Sequence, residues 1–361
     1  MELSTLASYK ELLPLYRGIY GGDANYRDNK TSLLPLVCGP DSAFRQNSRQ
    51  EIVAVKRKDS GEILCQCVLI RHKHYADTLV MAFFEGLPGG GDAVKKLEEH
   101  AKSVARTWEC TKLVAGLDGH CNYSVGFLTD HFDDPPSFGQ AYNPPAYNEW
   151  FRGLGWREVG LFSLREKIPQ VNTKVFERAR RMSPEISFEY ADFGSGFSDT
   201  MNCYTDLSNE IFTDHRYCFL RERREDYELF APMRPLLKPD NMIFAVENGR
   251  TVGFLFWYPD FNELVGPGKG AGVGTFLRHR LLGKMPKQLK VVEIGVLPEY
   301  KKKGLILLLF GELARIAAER YPKIEYVISS WILEENLDSG GMSSKILHSR
   351  YKGFSAYEKE V

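Results

Sequence analysis

The chain carries no net charge, since 47 Lys and Arg balance 47 Asp and Glu among 361 residues. No global field then favours nucleic acid or an acidic partner, and any anion site has to be local. The seven cysteines (Cys38, Cys65, Cys67, Cys110, Cys121, Cys203 and Cys218) are odd in number and contain no C-x-x-C pair. That argues against a disulfide framework and a zinc cluster, and fits a reducing cytoplasm. No stretch reaches the roughly 18 uncharged apolar residues of a membrane span, and Met1 to Thr5 lack the basic start of an export signal. The expectation is a cytoplasmic chain. Neither G-x-S-x-G nor H-E-x-x-H occurs, which leaves serine-hydrolase and zinc-hydrolase readings without a motif.

What is present is an ordinary globular composition, 43% hydrophobic and 26% charged. The length suits two domains of about 150 to 190 residues. The pattern repeats accordingly. Ile52 to Val55, a turn at Asp59-Ser60-Gly61 and Ile63 to Ile70 read as a hairpin, and Met242 to Val246, Asn248-Gly249 and Val252 to Trp257 read as another. Each hairpin leads into an apolar strand, a loop and an amphipathic helix. The first set is Leu79 to Phe84, Leu87 to Gly91 and a helix with apolar positions from Val94 to Trp108. In the second, Val291 to Val296 and Leu297 to Gly304 precede a helix with Ile306, Leu309, Phe310, Leu313 and Ile316 on one face. A further strand closes each half: Leu113 to Leu117 leads to Gly155-Trp156, and Tyr326 to Trp331 leads to Gly353-Phe354. The order predicts an α/β (α+β) fold of two domains, 1–168 and 182–361, each a mixed, mostly antiparallel central sheet flanked by helices. The polar stretch Pro169 to Thr173 and a basic helix fall between them.

Chemistry concentrates in Val291 to Leu305, where an apolar strand turns directly into a helix start. Unpaired backbone N–H groups and the positive end of the helix dipole converge there, which suits a pyrophosphate. This segment resembles motif A of the GCN5-related N-acetyltransferase (GNAT) family, V-x-P-x-x-(R/Q)-x-x-G-x-(G/A). The tail Trp331 to Asn336 with Tyr351-Lys352 and Tyr357 to Lys359, and the loop from Asn122 to Tyr147, are similar to a two-domain bacterial branch of mostly uncharacterised proteins. The first half then reads as a degenerate copy that performs no transfer.

The resemblance implies acetyl-CoA or a longer acyl-CoA as co-substrate and transfer of the acyl group to an amine by direct attack. Ile294, Gly295 and Val296 would line the pantetheine arm, with Asn336 also placed at the cofactor. Lys301, Lys302, Lys303, Gly304, Leu305 and Ile306 would cradle the pyrophosphate. Lys301 stands where Arg or Gln is usual, keeping the charge without the planar fork, and Ile306 stands where a small residue is usual. A backbone N–H at Val296 or its neighbour would stabilise the oxyanion. Glu293, the strand's carboxylate, is the candidate base and Tyr351 the candidate acid. Branch members similar to bacterial ceramide synthases imply a small-molecule or lipid-like amine acceptor. Acceptor contacts would come from Asn209, Asp214, His215, Tyr217, Asp260 or Asn262, with the Asn122–Tyr147 segment partly covering the site. A non-catalytic CoA-binding or interaction protein, and an enzyme drawing on an acyl carrier protein, stay open as alternatives. Gly266 to Gly274 reads as a flap, and Arg221 to Asp226, mixed in sign, as a solvated helix face.

Overall fold

The computed structural model describes residues 1–168, 174–301, 303–336 and 346–361. Its strands are β1 Glu2–Thr5, β2 Ser48–Lys56, β3 Ile63–His72, β4 Thr78–Gly86, β5 Lys112–Ala115, β6 Phe127–Leu128 and β7 Arg157–Lys167 in the first half. The second half supplies β8 Ser187–Tyr190, β9 Met242–Glu247, β10 Arg250–Pro259, β11 Gln288–Val296, β12 Tyr326–Ser329, β13 Ile332–Leu333 and β14 Arg350–Glu360. The helices are α1 Leu13–Tyr20, α2 Leu34–Cys38, α3 Ala43–Gln46, α4 Gly91–Thr107, α5 Ala146–Gly153, α6 Lys174–Met182, α7 Phe197–Ile211, α8 Arg223–Phe230, α9 Val273–Phe276 and α10 Leu305–Arg320.

Both expected hairpins form, as β2–β3 and β9–β10. The second turns on Asn248 and Gly249, both at positive φ, the backbone a tight two-residue hairpin turn requires. Each hairpin continues antiparallel into the strand that precedes the long helix, β4 or β11. That helix, α4 or α10, crosses back so that β4–β5 and β11–β12 pair in parallel, the two parallel contacts among the described strands. The apolar stripe predicted for α10 is buried at Leu309, Phe310, Leu313 and Ile316. The mixed, mostly antiparallel α/β fold is therefore present twice.

The closing strands do not stay with their own halves. β14, the end of the chain, pairs antiparallel with β5 of the first half, while β7 pairs with β12 of the second. The two exchanged strands lie side by side, Tyr357 opposite Glu158. They join both sheets into one, ordered β1-β2-β3-β4-β5-β14-β7-β12-β11-β10-β9-β8. One apolar core fills the second half and two smaller ones cover the faces of the first-half sheet. The exchange fixes the halves against each other and sets the walls of the space between them.

Candidate active site

The site begins where β11 and β12 part. Their pairing runs from Gln288–Tyr326 to Val291–Ser329, and Ser330 N–H closes it on the Val291 carbonyl at 2.8 Å. On the opposite edge, the β10 register shifts between Phe256 and Trp257, so that Val292 is the extra residue of a bulge, a device that bends a strand. Beyond that point a cavity of about 700 Å³ opens, with Val292, Glu293 and Ile294 on one wall and Ser330, Trp331 and Ile332 on the other. The first half contributes Leu33, Leu36, Asn122, Phe138 and Gly139, so the cavity lies between the halves.

Glu293 projects into this space and is held by α7. The hydroxyl of Tyr204 donates to Oε2 and that of Ser208 to Oε1, the latter at 2.6 Å. Tyr204 and Ser208 are four residues apart, hence on one helix face. Behind them Arg221 is buried, pairs with Asp226 at 3.4 Å and approaches the Tyr204 hydroxyl at 3.4 Å. Burial pushes the Asp226 carboxyl up to about 6 against the pull of Arg221. The expectation of a solvated face at Arg221 to Asp226 is thus corrected: Arg221, Glu225 and Asp226 are interior. Alternating charges along a sequence do not distinguish a solvated face from a buried pair, and Tyr204 and Ser208 were missed, their four-residue spacing being the one signal that places them on a common helix face.

Below Ile306, Gly304 takes φ +76 and caps α10, and the nearest atom to a Cβ there would be that of Ala179, at 3.9 Å. The turn is open above a helix start, and the first N–H groups of the helix have no intrahelical acceptor. Lys301 and Lys303 are exposed, the ammonium of Lys303 lying 4.3 Å from the Tyr300 ring; Lys302 lies outside the described residues. Helix α6, with Lys174, Arg178, Arg180 and Arg181, packs on α10 through Phe176 and Ala179 and brings further positive charge to this end.

Of the expected cofactor residues, Ile294, Ile306 and Asn336 line the cavity. Gly295 and Val296 do not. A Cβ on Gly295 would meet Ile211 and Phe212 at 2.8 and 2.9 Å, so that glycine permits the close approach of α7, and Val296 is buried against Gly253. Leu305 packs its side chain into the core and has only its backbone to offer. Tyr351 is also corrected. It is absent from the cavity lining, because β14 lies in the other half's sheet, and its hydroxyl donates to Asp134 at 3.1 Å. Burial and the Asp134 charge push that phenol up to about 12.

The Asn122–Tyr147 segment docks as expected. Phe138 N–H donates to Asp260 at 2.8 Å, Lys290 Nζ to the Phe138 carbonyl at 2.8 Å, and Asn262 Nδ2 to the Pro136 carbonyl at 2.9 Å. Asp260 and Asn262 therefore hold this loop, Asn209 holds the backbone of Arg221, Tyr217 bonds Glu358, and Asp214 is exposed. Of the six acceptor candidates His215 alone lines the large cavity. Its Nε2 is 2.7 Å from the Asn336 amide, and its buried Nδ1 has no hydrogen-bond partner among the described residues. Beside it the thiols of Cys218 and Cys121 lie 2.7 Å apart, one from each half. Lys290, also in the wall, is pushed down to about 8 by burial, against the opposing charge of Asp260.

No protein-family profile matches the chain. Protein YghO of Escherichia coli K12 is 24% identical over 286 residues, covering 72% of this chain and 69% of its own. Among solved structures, a tandem GNAT protein of the clavulanic acid biosynthesis pathway superposes with TM-score 0.55 at 12% identity, covering 99% of this chain and 98% of its own. A glucosamine N-acetyltransferase region of a fungal multi-domain β-N-acetylglucosaminidase reaches 0.60 at 13%, over 99% of this chain and 38% of the other. A GCN5-related N-acetyltransferase from Sphaerobacter thermophilus reaches 0.51 at 11%, over 99% and 95%. The fold is that of a tandem GNAT protein.

Proposed function

We propose that the chain is an N-acyltransferase that takes an acyl group from acyl-CoA and passes it to an amine by direct attack, in the second-half site. The observation that carries this reading is a cavity that joins the parted parallel strands to Glu293 and reaches α10 at Ile306, two residues past the Gly304 turn. The residues fit the co-substrate: the gap between Val292–Ile294 and Ser330–Ile332 admits an extended pantetheine arm, and the Gly304 turn with Lys301 and Lys303 suits a pyrophosphate. Glu293, oriented by Tyr204 and Ser208, accepts the proton of the attacking amine directly or through water. The first-half loop excludes water and narrows the acceptor side.

The test is single-turnover consumption of an acyl-CoA thioester with a panel of amines. Amide formation that depends on Glu293 supports the proposal. CoA binding without consumption under any amine would instead leave a non-catalytic CoA-binding protein. Activity with loaded acyl carrier protein and no CoA affinity would move the donor to the carrier.

A further inference from the structure

Although the whole chain is neutral, residues 264–292 contain Lys269, Arg278, Arg280, Lys284, Lys287 and Lys290 and no Asp or Glu. Most of this segment is a surface ridge: α9, then a wider π-type turn Leu277–Leu281. Val273, Leu277, Leu281 and Leu282 are 76%, 42%, 66% and 68% exposed, and no other ten-residue stretch of the described chain exposes so many large apolar side chains. Val273, Leu277 and Leu281 recur every four residues, which aligns them in one stripe. Exposed Lys269, Arg278, Arg280 and Lys284 flank it, and none has a carboxylate within salt-bridge distance among the described residues. Arg278 and Arg280 donate instead to the carbonyls of Leu264 and Pro235. The ridge is anchored from the other side, Asp28 N–H bonding the Lys269 carbonyl at 3.0 Å and Gly268 N–H that of Tyr26 at 2.9 Å. The glycine-rich stretch is thus tied to the first half at Gly268 and Lys269.

The same segment is a wall of the cavity. Gly272, Val273 and Phe276 line it next to Met233, Pro235 and Leu236, so the mostly exposed Val273 stands where the cavity meets the surface. An apolar stripe with unpaired cations on its flanks fits an interface between hydrocarbon and anionic headgroups. A two-fold contact with a second copy would instead set Arg278 and Arg280 against their own counterparts. No helix among the described residues is long and apolar enough to span a bilayer, which leaves docking at its surface.

We propose that Val273–Leu282 docks the protein on an anionic lipid bilayer, turning the cavity mouth to the membrane so that an amphiphilic reactant enters past Val273 and Phe276 from the lipid phase. Leu277, Leu281 and Leu282 reach below the headgroups, and Arg278, Arg280 and Lys284 contact them. Neither step requires that the chain be an acyltransferase, and binding can be measured without acyl-CoA.

Flotation of the full chain with vesicles of phosphatidylcholine, alone or with about one-third phosphatidylglycerol, tests this. The expected result is co-flotation with the anionic vesicles, weakening as salt rises, and little with the neutral ones. Replacing Leu277, Leu281 and Leu282 together by serine should lower the partition at least about tenfold. Arg278→Glu with Arg280→Glu should abolish the salt-dependent part. All five side chains are exposed, and far-ultraviolet circular dichroism checks that the variants are folded. Equal flotation of wild type and both variants overturns the proposal. So does failure of the wild type to float, or binding to an acidic carrier protein or self-association that the serine variant abolishes while vesicle binding persists. If flotation behaves as expected and no thioester is consumed, docking stands and the enzymatic reading falls.

Discussion

The molecule contains the same strand-to-helix junction twice, and among the described residues the second opens on the large cavity while aromatic rings fill the first. Aligning the parallel pairs at Thr78 and Gln288 puts Phe83 opposite Glu293 and Glu85 opposite Gly295. In the first half, aromatic side chains of α5 occupy the junction. The Trp150 ring would lie 2.9 Å from a Cβ on Gly86 and 3.5 Å from one on Gly91, at the start of α4. Tyr147, fully buried, donates to Glu85 at 2.6 Å, and Tyr20 and Lys30 complete the cage at 2.8 and 3.2 Å. Burial pushes the Glu85 carboxyl up while these three partners pull it back. Glu293 has comparable hydroxyl partners but faces a cavity. The comparison teaches that the topology supplies the junction, and that what packs over it decides whether a ligand can enter.

The largest effect should come from the carboxylate on the hollow side. Glu293→Gln keeps the side chain's size, leaves one acceptor for the Tyr204 and Ser208 hydroxyls so that one of them must turn to accept from the amide, and removes the proposed base, so turnover should fall by about 10²-fold or more while CoA affinity changes little. Tyr351→Phe, outside the cavity, should stay within about twofold, since the carboxylate it meets is Asp134 and no reacting group. Stopped-flow thioester kinetics on both variants decide the assignment, and a larger loss in Tyr351→Phe would reverse it.

Next in size is the anion turn. Gly304→Asn and Gly304→Asp both place a side chain at positive φ, where Asn and Asp are the tolerated choices, so strain is nearly common to the two. Their difference isolates charge. Calorimetry should show CoA binding at least about tenfold weaker in the Asp than in the Asn variant, about 1.4 kcal/mol. Equal affinities would move the pyrophosphate elsewhere.

The same contrast separates what the sequence encodes locally from what only the tertiary fold decides. Both hairpins, both long helices and the glycine-capped turn before α10 follow from periodicity and turn residues within a few positions of one another. The strand exchange does not, because β7 and β14 carry a pattern that suits either neighbour, and pairing is decided by partners more than 150 residues away, such as Tyr326 for Lys167. Tyr351 was misplaced for that reason. Its position after the motif was legible, its sheet was not. Likewise Arg221 and Asp226 gave only alternating charge, while their burial depends on α7 and α8 meeting over β11. The docking of Asn122–Tyr147 was legible from its aromatic content, though its hydrogen-bond partners were not.

A smaller effect should distinguish filling from function in the first half. Trp150→Ala removes half-buried aromatic surface beside Gly86, which should cost about 2 to 3 kcal/mol of stability in denaturant titration. Opening the space should not create a second site, because Leu87 to Gly91 has no basic side chain and the helix dipole alone contributes about 0.3 to 1 kcal/mol. Native mass spectrometry should therefore count one CoA per chain in wild type and variant alike; two in the variant would show that packing was the sole barrier.

The smallest expected change concerns the thiols that bridge the halves at the cavity wall. The Cys121 and Cys218 sulfurs lie 2.7 Å apart in a contact in which either thiol can be the donor. This contact, aided by the His215 imidazole and opposed by burial, draws the Cys218 thiol down to about 7. An ordinary thiol titrates near 8.5, so at pH 7 Cys218 is about half thiolate where an unassisted cysteine is a few per cent. Alkylation by iodoacetamide, followed peptide by peptide, should be faster at Cys218 than at buried Cys65 or Cys67, whose thiols burial pushes up. Its rate should rise with pH through a midpoint near 7, because the thiolate is the reacting form. Cys121→Ala removes the partner that draws the Cys218 thiol down while leaving His215 in place, so the midpoint should move upward and the rate at pH 7 should fall severalfold. Cys203→Ser, outside the cavity lining, provides the control in which it should not move. A midpoint unchanged by Cys121→Ala would mean that the two halves meet at this wall without coupling their thiols, and that His215 alone sets the ionisation.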